Sequence, residues 1–317
     1  MKDINLKGMV PAAVLPMTMD YAPDYGAYAR YLDWLIAEKA IALAINMDTG
    51  EGPQLTVEER RRAAEVAVEV AAGSCPVVAG VMGSTTAGAV EMAKIYRAAG
   101  VDGLVVFPNA AFRNDPLDPR IPVKYHEAIA RETGLPIILF QLAPVFGGVN
   151  FSRETLLQLM EIPQVVAIKE ASFDAQYFAY TQETVEMTGR SITLLTGNDR
   201  FITESFLLGA EGALLGFGAI GCGMVADMIQ AFAGGDYERG MAMKPRLQAF
   251  VDVIYANPVL DYRARCKVAL AHIGVLSHDQ SYVRPPLLQI ATAEAVLIER
   301  ALAQAGMLDP ARASSPA

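Results

Sequence analysis

Short apolar runs recur along the first two-thirds of this chain, each followed by a longer segment with helical spacing. The eight runs are residues 10–16, 41–45, 76–80, 103–107, 136–141, 165–169, 193–196 and 212–216. They are apolar at nearly every position rather than at alternate ones. Strands of that kind need cover on both faces, which a parallel sheet flanked by helices provides. Eight strand-and-helix units predict an α/β fold, a closed (β/α)8 barrel. The alternative, an open doubly wound sheet, has fewer units and a glycine-rich first turn. Here the first turn, Pro16-Met17-Thr18-Met19-Asp20, contains no glycine.

The intervening segments carry their own signals. Across residues 25–39, Tyr28, Tyr31, Leu32, Leu35 and Ile36 share one helix face. Thr56-Val57-Glu58-Glu59 is a capping box that opens residues 56–72. Ser84 or Thr85 starts 87–99, Ser152 opens a further helix, and 174–188 and 201–208 complete the set. Beyond 219–233 the period stays helical, over 235–256, 259–273 and 286–303. The expected organisation is a barrel over residues 1–233, a C-terminal helical extension over 234–310, and a disordered tail over 311–317.

Composition narrows the function. The apolar fraction is 53%, charged residues are 19% and the net charge is −9, so a large core is expected and nucleic acid is not an expected partner. The N-terminal residues have no apolar signal-like segment and no run is long enough to span a bilayer, so the expected location is cytoplasmic without membrane contact. Cys75, Cys222 and Cys266 are far apart and odd in number, which predicts buried thiols rather than disulfides. His126, His272 and His278 form no ligand pair, so no metal site is expected.

Lys169 ends the sixth run, Val165-Val166-Ala167-Ile168-Lys169. A lysine in such a run either snorkels into solvent or is buried and loses its charge. A neutral amine at the C-terminal end of a barrel strand, where active sites of this fold lie, is a nucleophile toward carbonyls. After the second run, Asp48-Thr49-Gly50-Glu51-Gly52 reads either as a nest of amides that holds an anion or as an ordinary turn. Gly80-Val81-Met82-Gly83-Ser84-Thr85 lacks the lysine of a phosphate loop and reads as a strand-to-helix turn. In Thr196-Gly197-Asn198-Asp199 the polar pair is expected to cap the next helix, and Gly216 after the eighth run lets a ligand approach the backbone.

Together these pieces resemble the dihydrodipicolinate synthase and N-acetylneuraminate lyase superfamily of Schiff-base-forming lyases, over about residues 6 to 308. Val166-Ala167-Ile168-Lys169-Glu170-Ala171-Ser172 is similar to its Schiff-base strand, with Lys169 on the lysine. Thr49-Gly50-Glu51 matches the end of its carboxylate-binding loop, Thr196-Gly197-Asn198-Asp199 a characteristic turn, and Ala305-Gly306-Met307-Leu308 its C-terminus. The departures fall on the proton relay. Phe140 stands where the family has a strand-five tyrosine, and Phe107-Pro108-Asn109-Ala110 replaces a second tyrosine. Asp48 replaces the first threonine of a pair, Met47 the glycine before it, and Val145-Phe146-Gly147-Gly148 lacks the dicarboxylate-binding arginine.

The resemblance implies a lyase with Lys169 as the imine-forming residue, Thr49 and Gly50 as carboxylate holders, and no cofactor. Asp48, Glu51 or a water is expected to replace the missing tyrosine in acid–base work. Glu51, Phe140, Gln141 and Gly216 are expected to line the substrate site. The stretch Phe140-Gln141-Leu142-Ala143-Pro144 is similar to dehydratases of 2-keto-3-deoxy sugar acids. That makes such a dehydratase or aldolase the first expectation. A pyruvate-dependent aldolase or synthase using an apolar or aromatic aldehyde, lined by Phe107, Phe112, Phe140 and Phe146, is the alternative. A non-catalytic barrel that binds 2-oxo acids is a third. Arg113 and Arg120 read by default as solvated loop arginines, with contact to the distal end of the substrate as the alternative, and the family implies a homo-oligomer, tetramer or dimer.

Overall fold

In the computed structural model, which describes residues 4–308, each of the eight apolar runs forms a strand. The barrel strands are β1 (Met9–Pro11), β2 (Leu43–Ile45), β3 (Val77–Val81), β4 (Gly103–Val106), β5 (Ile137–Leu142), β6 (Val165–Ala171), β7 (Thr193–Thr196) and β8 (Gly212–Leu215). They pair in parallel in the order β1-β8-β7-β6-β5-β4-β3-β2. A parallel bridge between Ala12 and Ala44, with the Ala13 amide 2.9 Å from the Ala44 carbonyl, closes the circle. The predicted first strand was too long: residues 13–15 stay buried but lie beyond the paired strand. The closed α/β barrel is therefore the fold.

Helices α1 (Tyr25–Ala37), α2 (Val57–Ala71), α3 (Thr86–Ala99), α4 (Arg120–Thr133), α5 (Arg153–Met160), α6 (Ala175–Met187), α7 (Ile202–Leu207) and α8 (Gly218–Ala233) link the strands and surround them. The capping box of Thr56 and Glu59 forms at 2.8 and 3.2 Å, and Thr85 caps α3 through the Gly88 amide at 3.1 Å. One helix, α4, was not among the predicted ones, although Pro122, Tyr125, His126, Ile129 and Ala130 share its buried face. It lacks a cap signal, since its N-cap Pro119 makes no side-chain cap, and it follows a short 3-10 turn at Ala110–Arg113. The extension consists of α9 (Tyr237–Ile254), α10 (Tyr262–His272) and α11 (Thr292–Gln304). The last begins later than predicted, at Thr292 rather than at Pro286. The predicted disordered tail lies outside the described residues.

Two apolar cores result. One fills the space between strands and helices and continues into the extension, where Phe217 of the β8–α8 turn meets Phe250 of α9 edge to face at 5.2 Å. The other fills the barrel interior with Val10, Ala44, Val78, Ile138, Ala167 and Leu214. Strand period 2 decides which residues face inward. On β6, Ala167, Lys169 and Ala171 face the interior, whereas Ile168 and Glu170 face the helices.

Candidate active site

Strand β6 runs two residues past Lys169, because its register with β5 continues through Phe140↔Lys169, Gln141↔Glu170 and Leu142↔Ala171. Lys169 is thus not the last strand residue, as predicted, but lies one inward position below the mouth. It is 8% exposed and reaches a cavity of about 350 Å³ at the C-terminal end of the barrel. Burial lowers its pKa to about 8, opposed by the negative charges of Asp199 and Asp48. The amine lies 4.2 Å from the centre of the Phe140 ring, a cation–π contact that favours the protonated form. Gly197 makes the space: a Cβ there would sit 2.7 Å from Lys169 Cε. Snorkelling is excluded, and an amine that releases its proton near neutral pH lines a cavity.

The other predicted residues divide. Thr49, Asp48, Phe140 and Gly216 line the same cavity. Asp48 is ion-paired with Arg263, whose Nε also donates to the Asp48 carbonyl at 2.7 Å. Glu51 and Gln141 are corrections. Glu51 is fully buried away from the cavity, ion-paired with Lys267 and accepting the Arg284 amide at 2.7 Å. Its φ of 57° is a left-handed conformation that costs a non-glycine residue roughly 1–3 kcal/mol. Those two partners hold it there, and with it the turn that presents Thr49. Gln141 faces outward on β5, where it donates to Thr181 at 3.0 Å and accepts from the Phe151 amide at 3.0 Å. Gly50 is absent from the lining; its Cα packs against the Ala13 carbonyl, so it shapes the turn. Arg120 pairs with Asp118 on the surface, Arg113 donates to the Gly147 carbonyl, and Phe112 lies in the outer core against Tyr125 and Phe151.

The sequence reading missed four residues. Asp199 does not cap a helix; it accepts the Phe217 amide at 2.8 Å, lines the cavity, and burial pushes its pKa up to about 6. Asn198 instead locks β6 to β7, donating to the Glu170 carboxylate at 2.6 Å and accepting the Phe173 amide at 2.7 Å. Tyr255, Tyr262 and Arg263 also line the cavity, and all three come from the extension. No periodicity could announce them, because helical spacing there reports packing against the barrel and says nothing of which end of a helix meets the mouth. The cavity lining therefore mixes polar groups, among them Asp48, Thr49, Lys169, Asp199, Tyr255, Tyr262 and Arg263, with the apolar side chains of Phe107, Phe140, Leu142, Phe146, Phe173 and Leu260. Phe107 and Phe140 meet edge to face at 4.8 Å, and Phe146 and Phe173 at 5.4 Å. Among the described residues no cluster of three or more His, Cys, Asp or Glu could hold a metal ion, and no helix is long and apolar enough to cross a membrane.

A barrel whose mouth holds a buried lysine with a lowered pKa, in a chain of this family, defines the class of the protein, a class I lyase that works through a lysine imine. The chain belongs to the dihydrodipicolinate synthetase family, whose model matches residues 5–305. It is 30% identical over 309 residues to a 4-hydroxy-tetrahydrodipicolinate synthase of Sphingopyxis alaskensis, covering 95% of this chain and 99% of the relative. Among solved structures it is similar to a dihydrodipicolinate synthase of Bacillus anthracis, with a TM-score of 0.83 at 24% identity, covering 99% of this chain and 100% of that one. The synthase of Acinetobacter baumannii complexed with pyruvate gives 0.84 at 22% identity, covering 96% and 100%.

Proposed function

We propose that this protein is a pyruvate-dependent aldolase whose acceptor is an aldehyde with an apolar or aromatic body. The observation that carries the reading is the set of four phenylalanines, Phe107, Phe140, Phe146 and Phe173, with Leu142 and Leu260, in the wall of the cavity that Lys169 enters. An aromatic acceptor buried there gains about 25 cal/mol per Å² removed from water. Each hydroxyl of a sugar acid set against those side chains would lose water without a partner, at about 1–3 kcal/mol apiece. With Gln141 facing outward, the stretch shared with sugar-acid dehydratases gives the cavity only the apolar side chains of Phe140 and Leu142, so the dehydratase is the weaker reading. An acceptor with a distal carboxylate is disfavoured too, since Arg113, Arg120 and Arg263 are each committed to groups of the chain itself. The relatives' name as synthases, and the pyruvate bound by the A. baumannii protein, support pyruvate as donor.

In this reading the Lys169 amine adds to C2 of pyruvate and water leaves, giving a protonated imine. That imine draws electrons from C3, so a C3 proton is lost and an enamine forms. Its C3 bonds to the aldehyde carbon while the aldehyde oxygen takes a proton, and water then releases the product. Thr49, with the amides beside it, holds the C1 carboxylate. Borohydride with pyruvate should leave one adduct per chain, on Lys169 by peptide mapping. Incubation with pyruvate plus, separately, an aromatic aldehyde and a carboxylate-bearing aldehyde, and with 2-keto-3-deoxy sugar acids alone, should give aldol product with the aromatic aldehyde. Dehydration of a sugar acid with no aromatic aldol would overturn the reading.

A further inference from the structure

Imine chemistry needs a group that hands a proton to the C2 oxygen and takes one back, and Phe140 has no hydroxyl to do so. The structure brings other hydroxyls to the spot. Tyr255 follows α9 and Tyr262 opens α10, and their rings stack with centroids 5.0 Å apart and planes 14° apart. The Tyr262 hydroxyl lies 3.3 Å from Thr49 Oγ1 and donates to Asp48 Oδ2 at 3.3 Å, so its hydrogen-bonding capacity is spent within the protein. The Tyr255 hydroxyl is different. It is buried and faces the Asp199 carboxyl, which it approaches without completing a hydrogen bond of ordinary geometry. A buried hydroxyl with its hydrogen bonding incomplete is costly, and a fold keeps one at a cavity wall where a ligand supplies the partner.

Gly216 marks the place. A Cβ on this residue would collide with the Tyr255 hydroxyl and would lie 3.2 Å from both Thr49 Oγ1 and the Tyr262 ring. The hydroxyls of Thr49 and Tyr255 therefore converge over one glycine at the end of β8, and the missing side chain leaves space between them. Lys169 and Asp199 border the same cavity.

We propose that Tyr255, delivered by the C-terminal extension, is a catalytic residue whose hydroxyl meets the C2 oxygen of the 2-oxo acid over Gly216, with Asp199 as its acid–base partner. The proposal rests on the aldolase reading above. When the Lys169 amine bonds to C2, the carbonyl electron pair moves to oxygen, which takes the Tyr255 proton. The proton now in excess on nitrogen passes to the Tyr255 phenolate, leaving a neutral carbinolamine. The C2–O bond then breaks as the oxygen takes a proton from the Asp199 carboxylic acid and departs as water, and the nitrogen pair forms the iminium beside the Asp199 carboxylate. That carboxylate removes the C3 proton, which gives the enamine and restores the acid. Burial supports both roles: it raises the Tyr255 pKa, so the resting phenol holds its proton, and it brings Asp199 to about 6, where acid and base forms coexist near neutral pH.

The test needs no acceptor aldehyde. The protein in deuterated buffer should exchange the methyl protons of pyruvate through the enamine, followed by proton NMR, and borohydride should trap the imine. Tyr255→Phe removes only the hydroxyl, so its melting temperature should equal or exceed that of wild type, since an unsatisfied polar group is lost. Its kcat for exchange should fall by about 10²-fold or more, with slower trapping. Exchange at the wild-type rate, or a loss confined to KM, overturns the role of Tyr255 while the aldolase reading stands. If wild type itself neither exchanges nor is trapped, the aldolase reading fails and takes this proposal with it. Gly216→Ala guards against a folding artefact: by pushing the hydroxyl aside it should lower the exchange rate with Tyr255 intact, and an unaffected rate also counts against the proposal.

Discussion

Lys169 pays for its reactivity in stability. Its pKa falls from 10.5 to about 8 on folding, so between those values the native state binds fewer protons than the unfolded chain. Stability therefore rises with pH across that window, and the full penalty is present below pH 8. The difference corresponds to roughly 3 kcal/mol. Lys169→Met should accordingly gain up to roughly that much at pH 7 by urea unfolding, with the gain shrinking toward pH 10. A gain equal at both pH values would show that packing, not desolvation of charge, is the cause. In the wild type, the rate of imine trapping should climb as the pH rises toward 8 and level off above it, because only the neutral amine attacks.

Among the elements, the turn after β2 and the helix α10 depend on each other. Glu51 and Lys267 are both fully buried, and burial lowers the Lys267 pKa. Removing one member of such a pair strands the other charge. Lys267→Met should therefore cost about 3–5 kcal/mol in unfolding free energy. Arg61→Ala, which breaks solvent-exposed pairs with Glu58 and Glu65, should cost far less. Adding Glu51→Gln to Lys267→Met should recover part of the loss, since no unpaired charge remains. Because Glu51 is two residues from Thr49, Lys267→Met should also weaken pyruvate binding, read as a higher KM for methyl exchange. Equal costs for the buried and exposed pairs would contradict this account.

For the whole molecule, the barrel and the extension share one apolar core and one cavity. The outer core runs without a break from the barrel helices into α9 and α10, and five cavity-lining residues, Tyr255, Val259, Leu260, Tyr262 and Arg263, lie in the extension. The division near residue 234 describes topology, and we propose that the two parts unfold together. A chain cut after Gly234 should lose imine trapping and cooperative melting at once, whereas the full chain should melt in a single transition. A truncated chain that melts cooperatively and still traps pyruvate would separate the two parts.

What the sequence determined by itself is what local pattern encodes. Eight apolar runs with helical intervals specified the barrel, because a strand covered on both faces and a helix covered on one leave different periods. Lys169 was legible because a lysine breaks an apolar run, and Thr49 only through the resemblance of Thr49-Gly50-Glu51 to the family's carboxylate-binding loop, since the turn alone read equally well as an ordinary one. Period 2 separates Phe140 from Gln141 only after the barrel fixes which face is inward, so Gln141 was misplaced. Glu51 looked like a site residue from its neighbours, yet a lysine 216 residues later claims it, and a pairing at that separation leaves no trace in spacing. Asp199 became an acid–base candidate rather than a cap because the barrel buried it. Tyr255 and Tyr262 reached the cavity because α9 and α10 fold back over the mouth. Burial and long-range approach set charge state and chemical role, and both arise only when distant segments displace the same water.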